Sequence, residues 1–262
     1  MLKRILLSSI LLFIFGLVIY ANKKTDLQPK YSINYVSLSQ DFLYAVRTGD
    51  STTAFLDTLH HADLDSLNKQ LFDDQHKLAF WLNLYNAFIQ ISLKSNPEQY
   101  KTRSAFFSKE NIQIGTENIS LDDIEHGILR RSKLKWSLGY LNKLFPSSFE
   151  KKFRVEKLDY RIHFALNCGA KSCPPIAFYE PDKINSQLNL ATKAYLKSES
   201  VYKQDNSVHI PVLFKWFKAD FGGNKTVLQI LKVNKIVPEN ANPNIKYNKY
   251  DWTLYLDNYK SI

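Results

Sequence analysis

Residues 74–94 constrain the fold more than any other stretch. Leu78, Ala79, Phe80, Trp81, Leu82, Leu84, Tyr85, Ala87, Phe88, Ile89 and Ile91 leave a helix here with almost no face for water. A helix that is apolar nearly all round belongs at the centre of a domain, with the other elements wrapped about it. Asn83, Asn86 and Gln90 interrupt this surface at i, i+3 and i+7, so three amides share one face. Buried amides are costly unless hydrogen-bonded. Two readings follow. The amides hold loops against the core, or Asn83-x-x-Asn86 supplies an orienting or oxyanion-stabilising group to a site.

The remaining sequence supports a single domain. The chain has 262 residues and is 45% hydrophobic, enough for one sizeable core, and no Pro/Gly/Ser linker or internal repeat divides it. Short helices are predicted at 37–48 and within 52–72, and a hairpin at 110–120 around Gly115. Ser120-Leu-Asp-Asp123 resembles a capping box opening a helix to about Arg131. A helix at 136–149, a strand at 161–167, a helix at 181–198, a strand at 207–214 kept short or at an edge by Pro211, a helix at 224–232 and a strand at 245–256 follow. The mixture has few βαβ repeats, so the expected class is α+β, a central buried helix packed on a small, mainly antiparallel sheet.

Residues 1–21 read as a segment outside this domain. Lys3-Arg4 precedes an apolar run from Ile5 to Ala21, the pattern of an export signal, with an uncleaved membrane anchor through residues 5–21 as the alternative. Residues 22–36 read as a polar tether and 37–262 as the domain. Localisation is expected to be periplasmic or extracellular. The net charge is +10. No compact Lys/Arg run has the form that nucleic-acid binding needs, so nucleic acid is not an expected partner.

Both cysteines, Cys168 and Cys173, fall within Arg161-Ile-His-Phe-Ala-Leu-Asn-Cys-Gly-Ala-Lys-Ser-Cys-Pro-Pro175. Export would let them pair as a disulfide. Their spacing fits neither C-x-x-C nor a complete zinc set, so neither metal nor cofactor is expected. A cysteine hydrolase needs a thiolate, a base and a group that orients the base. Cys168 ends the predicted strand and is the candidate nucleophile, with backbone N–H groups around Cys168-Gly169 as an oxyanion site. His126, on a separate helix, is the candidate base. His163 is second, because strand alternation turns it away from Cys168. Glu125 diverges from its neighbour His126 and would pair with Arg130 or a loop, which leaves Asn86 or Asn83 as the third catalytic group. The candidate catalytic residues are thus Cys168, His126, Asn86 and Glu125, and Asn83, Trp81, Tyr85 and His163 are the candidate binding residues.

These segments are similar to the DUF547 family, a domain of unknown function. The resemblance rests on Phe80-Trp-Leu-Asn-Leu-Tyr-Asn-Ala87, Ser120-Leu-Asp-Asp-Ile-Glu-His-Gly-Ile-Leu-Arg130, the cysteine segment 161–175, Phe214-Lys-Trp-Phe, Asp220-Phe221-Gly222 and Tyr250-Asp251-Trp252. It covers about residues 70–256. It implies that Cys168 matters more than Cys173 and His126 more than His163. It also implies a distant kinship with papain-like or transglutaminase-like cysteine enzymes. His126 precedes Cys168 here, so that kinship needs a circularly permuted order. The expected function is an exported cysteine hydrolase or acyl transferase acting on peptide or amide bonds of a cell-envelope substrate. The alternative is a non-catalytic envelope or surface binding domain with a Cys168–Cys173 disulfide.

Overall fold

Four of the helices start where the sequence supplies a side-chain acceptor, Asn34, Asp63, Asp73 or Ser147. Asn34 accepts from the Ser37 N–H and opens α1 (Tyr35–Thr48), which Gly49 ends in the left-handed region at φ 80°. This computed structural model describes residues 33–260, so the expected leader and most of the tether lie outside the described residues. Helices α2 (Thr53–His60) and α3 (Leu64–Gln70) follow, the second capped by Asp63. Asp73 caps α4 (Asp74–Ser95) through the His76 N–H. A 3-10 turn, Pro97–Thr102, leads into α5 (Arg103–Ser108). Strands β1 (Ile112–Ile114) and β2 (Glu117–Ile119) form the antiparallel hairpin around Gly115.

The second half is more irregular. Its helices are α6 (Ser148–Phe153) and α7 (Ile184–Glu199). Strands β3 (Val201–Tyr202) and β4 (Ser207–Ile210) come next, then α8 (Leu213–Trp216), α9 (Gly223–Val233) and β5 (Asn244–Tyr247). Strand β4 is central, antiparallel to β3 and parallel to β5. The fold mixes helices with two small sheets, in agreement with the expected α+β class.

The centre is α4, as its composition demands. It packs most extensively on α1 and also meets α7 and the segment 123–129. Trp81 lies in an aromatic cluster with Phe80, Phe149 and Phe153. A second core gathers Phe164, Phe214, Phe221, Val227 and Leu231.

Five expected elements differ in form or extent. Residues 161–167 are a 3-10 helix, Tyr160–Phe164, followed by a turn, and not a strand. Their alternation is real but has another cause: Ile162 and Leu166 face the main core while Phe164 faces the second. Residues 136–147 are a loop, because Leu138 and Gly139 both take positive φ, at 53° and 88°. Gly139 is required there, since a Cβ would overlap the Asp220 carboxylate. Pro211 keeps β4 short, as one of the two readings had it, but the strand is central and not at an edge, and the last strand stops at Tyr247. The expected helix after Ser120 has the reciprocal box, with the Asp123 N–H donating to Ser120 Oγ and the Ser120 N–H to Asp123 Oδ2, both at 3.0 Å. It continues as a π-helix over Asp123–Leu129, a form that recurs at functional sites.

Candidate functional site

The helix amides position the cysteines. Asn86 donates to the Ala165 carbonyl at 3.1 Å and accepts from the Asn167 N–H at 2.9 Å. Asn167 in turn donates to the Pro174 carbonyl at 2.8 Å and accepts from the Gly169 N–H at 2.9 Å. One side chain thus ties both ends of the loop between Cys168 and Cys173. Residues 250–255 run beside it, with Lys171 and Ser172 donating backbone bonds to the Thr253 and Asp251 carbonyls, and Tyr255 donating to that of Gly169. This brings Tyr250 to the sulfurs.

Both cysteines are free thiols. Their Sγ atoms are 2.7 Å apart, and the Tyr250 hydroxyl lies 3.3 Å from Cys168 Sγ and 3.2 Å from Cys173 Sγ. The hydrogen bond from Cys173, aided by Tyr250 and the Ala170 N–H, holds the Cys168 thiol below its ordinary range against the opposing effect of burial. Burial, then its interaction with Cys168, raises Cys173. Burial and the neighbouring thiolate also keep Tyr250 protonated. The pair is therefore asymmetric: one sulfur is disposed to ionise and its partner to keep its proton.

Cys168 opens on a cavity of about 460 Å³ lined by Tyr85, Glu125, His126, His163, Trp216 and Trp252 among others. Trp216, Tyr250 and Trp252 pack together with centroids 4.6–5.7 Å apart, the two indoles stacked and the Tyr250 ring tilted against both. Arg103 lies over the Trp252 ring at 4.7 Å and has no carboxylate partner among the described residues. Behind this cavity runs a buried ionic chain. Arg130 donates through Nη1 to His126 Nδ1 at 2.8 Å and through Nε to Asp220 at 2.6 Å. His163 Nε2 lies 2.9 Å from the same Asp220 oxygen. The His163 ring stacks on Phe217 at 3.9 Å, and the Arg130 guanidinium lies 4.6 Å from that ring.

This chain sets the tautomer of His126. Arginine only donates, so Nδ1 must accept and the proton sits on Nε2. Nε2 is 3.5 Å from Asp122 Oδ1. Burial, followed by the Arg130 charge, pushes the His126 pKa down to about 3. A neutral imidazole with Nε2–H is a hydrogen-bond donor and a weak base at neutral pH. Burial alone would raise the Asp220 carboxyl, but hydrogen bonds from His163 and Arg130 outweigh it and lower it.

Residues 69–196 match the model of a family described as Protein of unknown function, DUF547. Over these residues the chain is similar to that family. Comparison with curated proteins gives no match. Comparison with solved structures gives none either. The DUF547 match includes Asn86, Glu125, His126, Arg130 and both cysteines, whereas Asp220, Tyr250 and Trp252 lie beyond it.

The cavity brings together five of the residues singled out from the sequence: Cys168, His126, Glu125, Tyr85 and His163. Glu125 accepts from the Tyr85 hydroxyl at 3.2 Å, while Arg130 turns to His126 and Asp220 instead of pairing with Glu125. The expected base contact is absent: the thiol partners of Cys168 are Cys173 and Tyr250, with His126 engaged elsewhere. The expected oxyanion amides are also committed, Cys168 N–H to Cys173 Sγ and Gly169 N–H to Asn167. Asn83, Asn86 and Trp81 stand outside the cavity. Asn83 brackets Tyr179 through its N–H and carbonyl, and Asn86 acts on Cys168 through Asn167. Among the described residues, no His/Cys/Asp/Glu group could hold a metal ion.

Asn86 is therefore a positioning residue. Asn86→Ala leaves the Ala165 carbonyl and the Asn167 N–H buried without partners, so stability should fall by about 2–3 kcal/mol. Thermal unfolding checks this, and cysteine alkylation of the still-folded variant should be slower than in the parent. An unchanged melting temperature and unchanged labelling would remove Asn86 from this role.

Proposed function

We propose that this domain is a cysteine-dependent hydrolase or acyl transferase for peptide or amide bonds, with Cys168 as nucleophile. The observation that carries this reading is the environment of Cys168 Sγ: donors from Cys173 and Tyr250 on one side and an open, aromatic-walled cavity on the other. Thiolate character is what makes a cysteine nucleophilic. In the proposed reaction the Cys168 sulfur attacks the carbonyl carbon and the C=O electron pair moves to oxygen. The C–N bond then breaks, the amine leaves with a proton from Tyr250 or Cys173, and a thioester remains. Water or an acceptor amine cleaves the thioester and returns the thiol. His126 serves as an Nε2–H donor to developing negative charge, a role that suits its neutral state better than that of base. Kinship with papain-like or transglutaminase-like enzymes belongs to this proposal, in permuted order. So does action outside the cytoplasm, which the Lys3-Arg4 start and the apolar run to Ala21 support.

The adjacency of the two sulfurs favours a second reading: a binding domain in which Cys168 and Cys173 close to a disulfide under oxidation and the Trp216–Tyr250–Trp252 wall holds a ligand. Alkylation separates the two. Iodoacetamide should label Cys168 of the reduced full chain well below the ordinary thiol range, and Tyr250→Phe should slow labelling about tenfold, one pKa unit's worth of thiolate stabilisation. Labelling no faster than that of an exposed thiol would remove the nucleophile. A never-reduced protein two hydrogens light and inert to label would favour the binding domain.

A further inference from the structure

The loop at 136–145 is the least buried apolar surface in the described chain. Trp136 is 72% exposed, Tyr140 60%, Leu144 87% and Phe145 92%, with Leu138 and Leu141 exposed beside them. Six large apolar side chains on ten consecutive residues exceed the scatter expected of a solvated surface and mark an interaction site. Nothing in the described structure covers them. The loop is firmly held: Ala219 N–H donates to the Leu138 carbonyl, Leu134 N–H to that of Leu141, and Lys143 N–H to that of Ser132. It is thus a rigid, projecting apolar tip.

Charge identifies the partner. Arg131, Lys133, Lys135 and Lys143 lie between residues 130 and 149, and no Asp or Glu does, while the neighbouring Arg130 is buried on Asp220 and takes no part. Lys135 and Lys143 are tethered at their heads to Asp122 and Glu150, at the base of the loop, while Lys133 and the nearby Lys151 have no carboxylate partner among the described residues. An apolar tip of Trp, Tyr, Leu and Phe behind which lysines stand is the arrangement of an interfacial anchor: rings and aliphatic chains enter the acyl boundary and ammonium groups meet anionic headgroups. An acidic protein groove would call for cations at the tip itself, where Trp136, Leu144 and Phe145 stand exposed and the Lys135 and Lys143 heads are turned back to Asp122 and Glu150.

We infer that residues 133–145 dock the protein peripherally on an anionic lipid bilayer. Trp136 and Leu138 also line the Cys168 cavity, so a docked loop sets the cavity mouth at the lipid interface. Insofar as Cys168 is the nucleophile proposed above, its substrate would be membrane-associated. The docking itself does not depend on that chemistry.

The test is quenching of tryptophan emission by vesicles of phosphatidylcholine and phosphatidylserine with brominated acyl chains, using the full chain. Residues 1–32 contain no tryptophan, so insertion of the N-terminus cannot itself produce the signal. Trp136 emission should be largely quenched. The quenching should be lost in Trp136→Phe and in Leu144→Glu/Phe145→Glu, and weaker on phosphatidylcholine alone. Cys168→Ser should quench like the parent, so loss of the nucleophile leaves docking intact. No quenching, or quenching that persists in Leu144→Glu/Phe145→Glu, overturns the inference. So does burial of Trp136 by self-association, seen as a concentration-dependent change in size without vesicles.

Discussion

Asp220→Ala should lower the unfolding free energy by about 3–5 kcal/mol, the cost of leaving a buried charge without its partner. The side chains of Asp220 and Arg130 are fully buried and that of His163 nearly so, and Asp220 accepts from both. Removing the carboxylate strands the Arg130 guanidinium, whose Nη2 already has no hydrogen-bond partner, in a site water does not reach. The loss should pass along the chain to His126, which Arg130 orients. Arg130→Met combined with Asp220→Leu should recover a large part of the stability, because apolar pairs of similar volume replace buried ion pairs at little cost. Urea unfolding of the two variants checks both statements. A loss below about 1 kcal/mol for Asp220→Ala would mean that the Arg130 charge is compensated in some other way. The Cys168 reaction proposed above should not recover in the double variant, since nothing would then fix the Nε2–H tautomer of His126.

The contrast between α4 and the cysteine loop explains which parts were legible in the sequence. Helix α4 declares itself because burial on all sides leaves one sequence pattern, and its polar exceptions, Asn83, Asn86 and Gln90, each tie down a distant segment. The Ser120–Asp123 box was legible because capping is local chemistry. The segment 161–167 was not, because period-two alternation arises equally from a strand and from a 3-10 turn wedged between two cores. The loop at 136–147 carries a helical pattern, but Gly139 has to accommodate Asp220, a residue 81 positions later in the sequence. The same distance hid the site. Cys168, His126 and Glu125 could be chosen by residue type, but Tyr250 becomes a thiol partner only through the pairing of 250–255 with 169–172. The one available signal was the Tyr250-Asp251-Trp252 motif, and it carries no chemistry until the cysteine is known to lie beside it. Arg130 stood four residues from His126, a spacing at which helical side chains meet, and that geometry was sufficient to pair it with His126 in place of Glu125.

Lowering the pH should destabilise the protein through His126 well above the range where carboxylates titrate. Burial, then Arg130, hold its pKa at about 3 in the folded state, against an ordinary value of 6.5. Between those values the unfolded chain binds a proton that the native state refuses. Stability therefore rises with pH across this window and is lost as the pH falls from 6.5 towards 3, with a slope approaching about 1.4 kcal/mol per unit. By pH ~4.5 the loss should reach about 3 kcal/mol. Burial lowers His163 as well, so it adds a contribution of the same sign, while the lowered Asp220 contributes only at more acid pH, below the ordinary carboxyl range. His126→Gln keeps an acceptor for Arg130 and removes the titrating group, so its stability should fall less steeply over the same interval. Urea unfolding at a series of pH values compares the slopes, and equal slopes would place the His126 pKa near its ordinary value. The catalytic consequence has the opposite form. A histidine that stays neutral until the fold itself fails cannot produce an acid limb in the pH dependence of a Cys168 reaction. Any such limb in the parent protein should follow ionisation of the Cys168–Cys173–Tyr250 group and persist in His126→Gln.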